Sequence, residues 1–113
     1  MNINSQQDDL LTQAKANSNG RAAEIVVHDG SLRQTLIALT EGTELSAHNS
    51  PPAASMLVLV GEVEITGADK TTISEGNLKV LTHVKHGVKA LADSVFLLTT
   101  VTGVDGIDSH GDK

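Results

Sequence analysis

His48 and His86 are the residues whose type and placement most directly suggest chemistry. Each sits next to a turn signal, in separate stretches of β-like sequence. Two imidazoles brought together from two strands could hold a divalent metal, with Asn49, His83, water or an anion completing the set. A catalytic zinc ordinarily takes three protein ligands, so the pair alone is short of a site. The other reading is two polar side chains lining an interior cavity, hydrogen-bonded to backbone or water. His83 reaches the same cavity only if its strand is placed in the right phase; otherwise it points outward from a loop. His28 reads as a surface residue at a strand end, and His110 lies in the C-terminal tail.

Composition narrows the chemistry. Among 113 residues there are 14 acidic and 8 basic side chains, a formal charge of −6. The basic residues are scattered, so counterion release on nucleic acid offers little, and an anionic membrane is equally disfavoured. Phe96 is the single aromatic residue. Base stacking, sugar stacking and aromatic cages therefore have no support. No apolar run approaches the ~20 residues of a membrane-spanning helix. Zero Cys removes disulfide and thiolate chemistry. Together with an N-terminus lacking a signal-peptide pattern, that leads to an expected cytoplasmic location. Glu41, Glu44, Glu62, Glu64 and Glu75 lie at turns or on polar strand faces, and read as solvated groups rather than acid–base catalysts.

The elements that must position the histidines are strands. Glu24–His28 ends at Asp29-Gly30, and Leu32–Thr40 ends at Glu41-Gly42-Thr43. Met56–Val60 is continuously apolar, as expected of a strand buried on both faces. Glu62–Thr66 alternates polar and apolar. A turn over Gly67-Ala68-Asp69-Lys70 leads to Thr71–Ser74, and Glu75-Gly76-Asn77 leads to Leu78–Thr82. Val88–Leu91 and Ser94–Thr102 complete about eight strands, the pattern of a sandwich or barrel. Pro51-Pro52 fixes a stiff corner before the Met56 strand. Leu10, Leu11 and Ala14 predict one amphipathic helical turn, stopped by Asn17-Ser18-Asn19-Gly20, within a loosely held N-terminal arm.

These residues resemble a small cupin, the double-stranded β-helix family. The first cupin motif, G-x5-H-x-H-x3,4-E-x6-G, is matched by Gly42, His48 and Gly61; Ser50 stands at the second His position and Ala54 at the Glu position. In the second motif Gly76 matches the first glycine, and His86 falls one residue short of its expected place. The stretch from His86 to Leu98 resembles the H-x-V-x-A-L-x-D-S-x-F-L-L ending of small single-domain cupins. The resemblance spans residues ~24–102. It implies an all-β fold, a cupin-type jelly-roll β-barrel. Residues 1–22 are then a polar arm, 23–102 the barrel and 103–113 a flexible polar tail.

Within that barrel His48, Ser50, Met56, His86 and Val88 are the expected cavity residues. His48 and His86 are the candidate metal ligands, with His83 as a third. Only two of the four family ligands are kept. The resemblance therefore implies first a small-molecule binder without robust catalysis, needing no cofactor. A metal-dependent enzyme, an oxygenase or isomerase using zinc, iron, manganese or nickel, is the alternative. A regulatory or accessory module that binds another protein is a third. A homodimer through the strand at Glu24–His28 is expected from the resemblance and from edge-strand logic.

Overall fold

The computed structural model describes residues 1–48, 53–67, 70–81 and 86–101, with 47, 48 and 86 described by their backbone alone. One helix precedes nine strands among these residues. They are α1 (Ile3–Ala16), β1 (Arg21–Asp29), β2 (Leu32–Leu39), β3 (Glu44–His48), β4 (Ala53–Val60), β5 (Glu62–Thr66), β6 (Thr71–Ser74), β7 (Leu78–Leu81), β8 (His86–Ala90) and β9 (Ser94–Val101). The strands form two sheets, ordered β1-β2-β9-β4-β7 and β3-β8-β5-β6. Every described pair is antiparallel.

Strand alternation explains how the sheets close on each other. In β2 the odd positions Ile37 and Leu39 face one way, and Leu36 and Ala38 face the other. The odd set joins Met56, Val58 and Phe96 of the same sheet. Together they pack on Val63, Ile65, Ile73, Val88 and Ala90 of the second sheet. This aliphatic layer is the main core, with Phe96 its one ring. Removing it from water is the dominant stabilising term.

The even set of β2 builds a second, smaller core. Leu36, Ala38 and Val95 pack against Leu10 and Ala14 of α1, with Leu59, Val60 and Leu97 at the margin. The N-terminal segment is thus a 14-residue helix laid on the outer face of the five-stranded sheet, longer than the single turn that Leu10, Leu11 and Ala14 predict. Its side chains are mostly polar, which hides it from periodicity. Leu10 and Ala14, four residues apart, share one face and are buried. Asn2 caps its start by accepting from the Ser5 amide at 3.1 Å.

The nine strands include one that the composition conceals. Glu44–His48 reads as polar loop sequence, yet it pairs with β8. The pairing starts at the turn, where Gly42 N donates to Ala90 O at 2.8 Å and Ala90 N donates to Thr43 O at 2.9 Å. β8 correspondingly begins at His86, two residues ahead of its predicted start. The tail over 103–113, the Pro51-Pro52 corner and the centre of the turn at Ala68-Asp69 lie outside the described residues. Among the described residues no helix is long and apolar enough to cross a membrane.

Candidate functional site

His48 and His86 are directly opposite each other in the β3–β8 ladder. Opposed positions of an antiparallel pair are direct neighbours across the two strands. In β8, position 86 has the parity of Val88 and Ala90, both buried in the main core. The ladder is irregular between Leu45 and His48, so the end of β3 departs from simple alternation. Met56 on β4 is 1% exposed and Val88 on β8 is 9% exposed. These two expected cavity residues come from opposite sheets and join the same packed cluster. Ser50 and His83 lie outside the described residues.

Ala54, at the motif's Glu position, is buried on β4. It is opposite Thr100 on one side and Leu81 on the other. A methyl group there offers no donor atom. Among the described residues no group of three or more His, Cys, Asp or Glu side chains is arranged to hold a metal. Two of the glutamates make scaffold contacts. Glu75 Oε1 accepts from Gly61 N at 3.2 Å, and Glu62 Oε2 accepts from Ser74 Oγ at 3.1 Å. Glu64 is opposite Thr72 and Lys89 on the half-exposed face of β5.

The inner face of the five-stranded sheet ends, on the side where β3 stops and β8 begins, in the row Arg33, Thr100, Ala54 and Leu81. Sequence reasoning passes over Arg33. The signal was present: in LRQTLIALT it shares the parity of Ile37 and Leu39, the inward set. An open depression of about 350 Å³ borders this row at Ala54 and Leu81. Most of its other walls, including Ser55, Val80 and Thr99, belong to the outer face of the sheet.

The opposite end of the barrel is fixed by the DS pair of the closing motif. Asp93 Oδ1 accepts from Glu41 N at 2.9 Å, and Ser94 Oγ accepts from Glu62 N at 3.0 Å. These contacts hold the turns away from the histidine end, so the motif residues divide between a scaffold end and a site end.

No family model and no curated protein matches the chain. Solved structures do. A conserved protein of unknown function from Streptococcus pyogenes superimposes with a TM-score of 0.70 at 26% identity, over 78% of this chain and 79% of that one. An RmlC-like cupin from Desulfovibrio desulfuricans gives 0.66 at 24% identity, over 72% and 81%. A salicylate 1,2-dioxygenase from Pseudaminobacter salicylatoxidans gives 0.75 at 18% identity, over 86% of this chain and 33% of that one. Enzymes and proteins of unknown function thus share this arrangement. The strand order, the two-sheet core and these superpositions agree on one architecture: the chain is a small protein of the cupin fold.

Proposed function

We propose that the chain binds a small molecule at the barrel end where β3 stops and β8 begins, in the cytoplasm, without robust catalysis. The observation that supports this reading is the register partnership of His48 and His86, in the strand pair that also carries Val88 of the aliphatic core. Imidazoles supply directional hydrogen bonds and the aliphatic floor supplies burial, the usual division of labour in a ligand pocket. Ser50 completes the proposed lining. An NMR fragment screen of the full chain tests the reading. Backbone shifts are expected to gather at 48, 50, 56, 86 and 88. Shifts confined to the helix face or to β6 overturn it.

The same histidine pair favours a second reading, a metal-dependent enzyme of the oxygenase or isomerase type. Ala54 and Ser50 supply neither the carboxylate nor the imidazole of the family motif. Two neutral imidazoles also leave a divalent charge uncompensated in a low-dielectric interior. The described residues therefore do not by themselves fit a metal centre. Elemental analysis of protein purified without a histidine tag separates the readings. Near-stoichiometric zinc, iron, manganese or nickel, lost in His48→Ala and His86→Ala, supports the enzyme; under about a tenth of an equivalent opposes it.

The proposed assembly is a homodimer through β1. This strand is an outer edge of the five-stranded sheet, and its Ile25 is 54% exposed. An unpaired edge carrying an exposed aliphatic side chain is a ready template for a second copy.

A further inference from the structure

Arg33 is half-buried on the inner face of the five-stranded sheet, at the site end of the barrel. Its Nε is buried and has no hydrogen-bond partner. The ion pair found among the described residues, Lys15 with Asp93, lies elsewhere. That is unexpected in a chain with 14 acidic and 8 basic residues. The other arginine, Arg21, is exposed on β1, where water solvates it.

A guanidinium does not shed its proton, so the burial cannot be relieved by neutralisation. A buried donor without an acceptor is unfavourable unless something supplies one. The neighbours of Arg33 along its row do not. Thr100 is 6% exposed and donates its hydroxyl proton to the Arg33 carbonyl at 3.5 Å, while Ala54 and Leu81 bring only hydrocarbon. A planar oxyanion fits this setting, because two parallel N–H bonds from the fork match a carboxylate.

We propose that the ligand of this barrel is a small carboxylate whose oxygens accept hydrogen bonds from Arg33, with its apolar part directed toward Met56 and Val88. This rests on the small-molecule reading above and names the chemical class of the ligand. Arg33 is the specificity-determining residue. His48 and His86 belong to the same end of the opposite sheet.

The test is an NMR titration of the full chain with acetate, succinate and benzoate, each compared with its neutral amide. The chain has two arginines, so the Nε–H resonance of Arg21 serves as the internal reference for that of Arg33. At least one carboxylate is expected to move the Arg33 Nε–H and the backbone at Met56 and Val88, leave Arg21 in place, and bind at least about tenfold tighter than its amide. Arg33→Gln removes that preference, and Arg33→Lys restores part of it. Equal binding of acid and amide at Met56 and Val88, with Arg33 unmoved, overturns the role of Arg33 and leaves the barrel reading standing. Movement at Arg33 without Met56 or Val88 keeps the anion contact and overturns the interior placement. Silence at all three positions with every probe overturns both.

Discussion

Glu62 N donates to Ser94 Oγ at 3.0 Å, joining the first residue of β5 in one sheet to the first residue of β9 in the other. Ser94 is fully buried, and Ala92 O at 2.7 Å and Glu62 O at 3.0 Å are acceptors for its proton. Ser94→Ala leaves a backbone donor without its partner next to a packed core. The expected loss is about 1–3 kcal/mol, read as a lower denaturation midpoint in urea with an unchanged slope. A loss of a few tenths would mean that water takes over the bond.

Gly61 precedes this junction with φ +81°, and a Cβ there would meet Asp93 O and Ser94 Oγ. Two penalties add in Gly61→Ala. The left-handed backbone costs ~1–2 kcal/mol for an L side chain, and the crowding costs ~1–3 kcal/mol more. The variant should lose more than about 2 kcal/mol on the same urea curve. Gly42→Ala is the control, since it has φ +86° but no atom within 4 Å of the new Cβ, and it should lose only the backbone part.

Asp93 makes two contacts of unequal worth. It accepts from Glu41 N at 2.9 Å, and it pairs with Lys15 at 3.7 Å with side chains 57% and 44% exposed. An ion pair that open contributes little, because water and salt screen it. Lys15→Ala is therefore expected to change stability by less than about 0.5 kcal/mol. Asp93→Ala also strips the turn amide of its acceptor, at about 1–2 kcal/mol. Equal losses in the two variants would show that the ion pair, and not the turn, is the important contact.

The separation between legible and hidden parts follows from where each segment gets its stability. β2 and β5 show in the sequence because alternation and a following glycine turn mark them locally. The run Leu36-Ile37-Ala38-Leu39 is apolar at both parities, and the structure covers its outer face as well. What covers it was harder to see: α1 has few apolar residues, and its order comes from the sheet beneath. β3 was hidden for the same reason, since Leu45 is its one large apolar residue and the ladder to β8 holds it. Arg33 was legible by parity, but nothing in the sequence shows that its Nε lacks a partner. His48 and His86 were visible as types, and their pairing is a property of register, which only the β3–β8 ladder supplies.

Leu10 tests whether α1 is an integral layer. It is 2% exposed and packs with Leu36, Ala38 and Val95. Leu10→Ala should lose about 2–4 kcal/mol, because the rigid sheet beneath collapses poorly into the void. Amide exchange should rise across α1 and stay low in β5 and β8, which lie in the other core. Exchange rising equally in both sheets would mean that the two cores unfold as one unit.

The β1 edge is tested by oligomeric state. Light scattering at tens of micromolar should return twice the chain mass for the wild type. Ile25→Lys places a charge at the exposed centre of that strand, the device that natural sheets use to block edge pairing. Ile25 is 54% exposed, so the monomer's stability should change by less than about 0.5 kcal/mol. The expected outcome is a monomer with the wild-type circular dichroism spectrum. A dimer that survives the substitution would move the interface away from β1. The apolar edge at Leu78 and Val80, 66% and 72% exposed, would then be the next surface to charge.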